Sequence, residues 1–151
     1  MSTGYETMNY ELWTMDYNKV LALICFGTLL ALCACKRETK DERFRREFQQ
    51  FTQKECPKLI DENTRMDSIC YDIDIRTLSE YYTVMNELDV DAIYADGQLM
   101  STFRESMLKG LKGSLPMKAY KDESITFRYV YRSASTGKTR LELTFTPEDY
   151  E

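Results

Sequence analysis

ITFRYVYRSASTGKTRLELTFT, residues 125–146, is the stretch on which the fold turns. Ile125, Phe127, Tyr129 and Tyr131 alternate with Thr126, Arg128, Val130 and Arg132. Further on, Leu141, Leu143 and Phe145 alternate with Arg140, Glu142, Thr144 and Thr146. A period of two sends successive side chains to opposite sides of a strand, so this stretch reads as two strands with one apolar and one polar face. Residues 133–138, which include Gly137, supply the loop of a hairpin. A two-stranded ribbon is marginal in water, so it must join a larger sheet or pack under helices.

A second hairpin is expected upstream. Residues 66–71 form its first strand, 72–75 a turn and 76–84 its second strand. In that second strand Leu78, Glu80, Tyr82 and Val84 share a face opposite Thr77, Ser79, Tyr81 and Thr83. Glu80 therefore lands on an apolar face, at an edge, in a pocket or beside a bulge, and is a candidate pocket acid. Two amphipathic helices precede the hairpins. From 38 to about 55, Phe44, Phe48 and Phe51 recur at spacings of four and three, and Pro57 marks the end or the next element. From 96 to 112 the stripe is Met100, Phe103, Met107 and Leu111, with Gly110 and Gly113 letting the helix stop. The predicted fold is α+β in the order αββαββ, an antiparallel sheet of about four strands with two helices on one face.

Residues 20–35 read VLALICFGTLLALCAC, uncharged over sixteen residues and followed at once by Lys36-Arg37-Glu38-Thr39-Lys40-Asp41-Glu42. The run is shorter than the roughly eighteen residues of a spanning helix and suits the apolar region of a signal peptide. An uncleaved anchor or a core helix would use the same residues. The junction Leu32-Cys33-Ala34-Cys35 resembles the lipobox of bacterial lipoproteins. That resemblance implies cleavage before Cys35, a lipid (palmitate-type acyl chains) on its thiol, and a membrane anchor to which each buried methylene adds about 0.8 kcal/mol. Lys36 after the cysteine resembles lipoproteins passed on to the outer membrane. The segment before the run is acidic, with Glu6, Glu11 and Asp16 against Lys19, so residues 1–14 read as a mis-called start or an atypical extension. The expected organisation is a signal peptide over 1–35, a charged tether over 36–42 and one domain over 43–151.

The stretch Cys56-Pro57, Asp61-Glu62, Thr64-Arg65-Met66-Asp67-Ser68, Tyr81-Tyr82-Thr83 and Tyr129-Val130-Tyr131-Arg132 resembles small uncharacterised envelope proteins over roughly residues 56–147. It departs from them at Glu80, where an aromatic is common, and in lacking a late cysteine pair. The resemblance implies the fold and brings no chemistry.

Composition narrows function. The 151 residues are 43% hydrophobic and 30% charged, with net charge −5, five cysteines and no histidine. An acidic chain lacks the field that nucleic-acid binding requires. Without histidine, Ser-His-Asp and Cys-His nucleophiles and most zinc sites are excluded. Residues 1–35 hold one base and three acids, so the remainder carries net charge −3. Beyond Cys35 the cysteines are Cys56 and Cys70, a disulfide in an oxidising compartment or two free thiols. Ser135-Thr136-Gly137-Lys138-Thr139 resembles the end of a phosphate-binding loop, but Arg132 stands where that loop needs glycine and a strand follows. Asp61-Glu62, Asp72/Asp74 and Asp89/Asp91 read as turn residues rather than as catalytic or calcium pairs. Arg128, Arg132 and Arg140 form a candidate partner-binding face on the last hairpin. An aromatic platform would draw on Tyr81 or Tyr120.

No catalytic residue, metal site or cofactor is expected. The leading expectation is a cell-envelope lipoprotein, in the outer membrane, with a non-catalytic binding or assembly role toward another envelope protein and none toward nucleic acid. The alternatives are a small carboxylate-dependent hydrolase and a protein inhibitor or chaperone-like module.

Overall fold

The computed structural model describes residues 37–151, of which Thr39–Glu151 form one compact unit. Cys35 and the leader assigned to 1–35 lie outside the described residues. Helix α1, Lys40–Glu55, starts inside the stretch read as a tether because Thr39 and Glu42 form a reciprocal cap. The Thr39 hydroxyl accepts from the Glu42 N–H at 3.2 Å, and the Glu42 carboxylate accepts from the Thr39 N–H at 2.8 Å.

Five strands follow: β1 Lys58–Leu59, β2 Thr64–Asp72, β3 Thr77–Val84, β4 Thr126–Ser133 and β5 Thr139–Phe145. They lie side by side in chain order. The two expected hairpins are present, β2 with β3 and β4 with β5, both antiparallel. Between them the expectation of an antiparallel sheet fails, because β3 and β4 pair in parallel, Leu78 opposite Phe127 and Tyr82 opposite Tyr131. The reason is the number of traverses in the connection. After β3 come a 3₁₀ turn at Asn86–Leu88, α2 (Asp91–Ala95), α3 (Gly97–Gly113) and α4 (Lys118–Lys121). One long helix, α3, returns the chain to the end of the sheet where β3 began, so β4 must run the same way. At about 1.5 Å per residue its 17 residues match the span of an eight-residue strand. The fifth strand, β1, is only two residues long and carries no period that a sequence could show.

Both long helices cover the same face, together with three shorter ones, the last being α5, Pro147–Tyr150. On that face Phe127, Phe145, Leu78, Ile125 and Val84 are fully buried. Phe44 meets Tyr71 edge-on at 6.0 Å, and Phe48 meets Tyr120 at 5.0 Å. Phe51, expected in the same stripe, is 37% exposed. The residues aligned at intervals of four are Phe44, Phe48 and Thr52, so Thr52 takes the inward place in the last turn. Its hydroxyl accepts from the Ile69 N–H at 2.8 Å and donates to the Ile69 carbonyl at 2.7 Å. A hydroxyl thus closes the edge of β2 beyond the reach of β1. In α3, Asp96 caps the N-terminus through the N–H groups of Gln98 and Leu99. Arg104 lies over the Phe145 ring at 4.6 Å and donates to the Thr144 carbonyl and to Asp149.

Candidate functional site

Among the described residues, two concavities pair α3 with the covered face of the sheet, one toward each end of the helix. Near its N-terminus, Val84, Tyr131 and Leu141 of the sheet and Ile93, Leu99 and Phe103 of α2 and α3 line an apolar groove of about 300 Å³. Leu99 is 45% exposed within it. The groove draws on residues from Asp61 to Leu141, and α2, five residues long, is too short to show amphipathic spacing. Sequence reasoning therefore had no signal for it.

One wall of the groove is anchored by charge. Arg140 donates to Asp89 through Nε at 3.1 Å and Nη2 at 3.0 Å, and also pairs with Asp91. Asp89 further accepts from the Ser135 N–H at 2.9 Å. The hydroxyls of Ser133 and Ser135, that N–H and the Arg140 guanidinium hold the Asp89 carboxyl well below the usual carboxylate range. The reading of Asp89/Asp91 as solvated turn residues is thus corrected for Asp89, a nearly buried tie between the β4–β5 loop, β5 and the segment before α2, its side chain 7% exposed; Asp91 is solvated, at 87%. Asp61 and Asp72 do serve turns, accepting from the N–H groups of Asn63 and Asp74.

Toward the other end of α3, a cleft of about 340 Å³ has Glu80 and Tyr129 on its floor, with Ser106, Met107, Gly110 and Met117 around it. Glu80 is 6% exposed. Tyr82 donates its hydroxyl to Glu80 Oε2 and stacks on Tyr131 at 5.0 Å, the rings 14° from parallel. Burial pushes the Glu80 carboxyl above its ordinary pKa, against the opposing pull of the Tyr82 hydrogen bond. Burial and the Glu80 charge likewise raise Tyr82 and Tyr129, and push Tyr131 up to about 12. A carboxylate-dependent hydrolase needs a second acid here, and among the described residues none lines the cleft.

The other sheet face has no helix over it among the described elements. Arg128 pairs with Glu142 at 2.8 Å, Arg132 lies over the Tyr81 ring at 5.1 Å, and Arg65 pairs with Asp67 at 2.7 Å. Of the three candidate arginines, the structure thus sets Arg128 and Arg132 on this face and commits Arg140 to the Asp89 tie at its end. Cys70 is exposed on this face as a free thiol. Cys56, at the end of α1, is half-buried and also free, its thiol pushed up by burial and by the charges of Asp67 and Glu55. Among the described residues no group of three or more Cys, Asp or Glu side chains could hold a metal ion. Nor is any described helix long and apolar enough to cross a membrane.

Several solved structures are similar in fold. A Pseudomonas aeruginosa protein inferred to be secreted aligns with a TM-score of 0.59 at 9% identity, over 76% of this chain and 99% of its own. The pilotin EpsS of the Vibrio vulnificus type 2 secretion system aligns at 0.53 and 8% identity, over 74% and 91%. The type II secretion system pilotin AspS of Vibrio cholerae aligns at 0.51 and 12% identity, over 72% and 90%. No curated protein sequence matches the chain significantly. The profile of a domain of unknown function, DUF8479, matches residues 39–141, nearly the whole compact unit, and the chain belongs to that family.

Proposed function

We propose that this protein is a cell-envelope lipoprotein, anchored at the outer membrane through Cys35, whose domain holds an apolar segment of a secretion-apparatus subunit. The observation that carries the reading is the groove between α2, α3 and the sheet, apolar in lining, with the Arg140–Asp89 tie next to its lining residues Leu141 and Leu88. A segment with a few large aliphatic side chains would bury apolar area there at about 25 cal/mol per Å². The likeness in fold to two pilotins supports the choice of partner class. The lipobox-like junction at Cys35 supports the anchor. The role is binding and assembly rather than catalysis.

Two measurements test it. Fatty-acid labelling of cells should mark the wild-type chain and not Cys35→Ala; equal labelling of both removes the anchor. Deletion of the gene should leave secreted enzymes in the envelope. Wild type and Arg128→Glu, altered on the open face, should restore secretion, and Leu99→Asp, altered in the groove, should not. Normal secretion in the deletion strain overturns the partner class.

A further inference from the structure

We infer that the Glu80 cleft is a second binding site, specific for an alkylammonium group. It is separate from the apolar groove and does not depend on the secretion reading.

The case begins with an incomplete charge pair. Glu80 sits on the covered side of a central strand and is 6% exposed. Tyr82 satisfies Oε2. Among the described residues Oε1 has no hydrogen-bond partner, yet none of their buried side-chain oxygens or nitrogens is left unsatisfied, so Oε1 is accessible, and Glu80 lines the cleft. The Tyr129 hydroxyl likewise has no hydrogen-bond partner among the described residues, and Tyr129 lines the same cleft. A carboxylate in such a place ordinarily has a basic neighbour. Among the described residues no Lys or Arg lines this cleft. The cation from the following helix, Lys121, is committed to the carbonyls of Leu111 and Lys112 at 2.8 and 2.7 Å, closing the end of α3.

The rest of the lining suits the stem of such a cation. Met107, Leu111 and Met117 are apolar and polarisable, and the Tyr129 ring is an electron-rich wall. On α3 the cleft is bordered by small residues, Ser106 and Gly110. A Cβ at Gly110 would meet nothing within 4 Å, so packing does not require glycine there. Its effect is to leave room. An ammonium donating to Oε1 and to the Tyr129 oxygen, its methylenes against the methionines, completes the pair that the chain leaves open. The other titratable groups that face Glu80 are Tyr82 on its own strand and Tyr129 and Tyr131 on β4; α3 contributes none to the lining. Burial keeps these phenols neutral, so binding should strengthen with rising pH as Glu80 ionises.

The test uses the full chain in detergent micelles, with n-butylammonium chloride as probe and uncharged n-pentanol as its control. Methyl signals of Met107 and Met117 and the Glu80 carboxyl carbon are followed by NMR. Saturable shifts with butylammonium, at least about tenfold weaker with pentanol and in Glu80→Gln, support the site. Gly110→Leu fills the cleft while favouring the helix, and should abolish the shifts in a folded protein. Equal binding of pentanol, undiminished binding by Glu80→Gln, or no saturable shift overturns the proposal. An N- and C-blocked Gly-Lys-Gly peptide distinguishes the source. Tighter binding than butylammonium assigns a partner's lysine, and weaker binding a free amine.

Discussion

The two faces of the sheet are built from alternate residues of the same strands, yet they handle charge in opposite ways. On the open face, carboxylates and guanidinium groups meet near solvent: Arg128 with Glu142, Arg65 with Asp67, and Asp67 with the Thr83 hydroxyl at 2.6 Å. On the covered face a single carboxyl, Glu80, lies among aromatic rings with one phenol as its partner. Exposed pairs contribute little because water competes with them, whereas a buried carboxyl is felt through its desolvation. The ion pairs of the open face therefore contribute little, and the covered face holds the largest buried side chains and both concavities.

Truncation on the covered face should have the largest effect. Phe127→Ala removes a ring that is 1% exposed and meets Tyr150 edge-on at 5.5 Å. It should lower stability by about 3–5 kcal/mol in urea unfolding. Next comes the strand edge that α1 closes. Thr52→Val keeps the shape but removes both hydrogen bonds to Ile69, a loss of about 1–3 kcal/mol with faster amide exchange at Ile69.

Glu80→Gln tests the charge itself. A carboxyl whose folded pKa is raised holds its proton more firmly in the folded chain. Its stabilising contribution is complete below the ordinary glutamate pKa and is lost as pH rises through the raised value. The variant should therefore flatten the pH dependence, gaining on wild type between acid and neutral pH, as thermal melts at several pH values would show. An unchanged pH profile would mean that Glu80 is solvated. The smallest effect belongs to the open face: Arg128→Ala should shift unfolding by less than about 1 kcal/mol, and less still in high salt.

Much of this architecture was legible in local pattern. The alternation of Phe127, Tyr129 and Tyr131 with their polar neighbours located β4, and Asp96 with the Met100, Phe103, Met107 and Leu111 stripe located α3. Glu80 announced itself as an acid on an apolar face. The same alternation put Tyr82 beside it, but Tyr129 and Met107 could not be read as its neighbours, because they come from elements far along the chain. The aromatic spacing at 44, 48 and 51 pointed to Phe51, and the strand edge needed Thr52 instead, since an edge requires a hydrogen-bonding group that a period of apolar residues cannot reveal.

Which segments are strands and helices, which side of each is apolar, and the lack of any imidazole are properties of neighbours in the chain, set by backbone geometry and composition. The parallel pairing of β3 with β4, the groove, the Arg140–Asp89 tie and the open oxygen of Glu80 arise where residues from separate elements, distant in the chain, meet. Such meetings depend on how many times α3 carries the chain across the sheet and on which small residues it turns inward, and no local pattern encodes either.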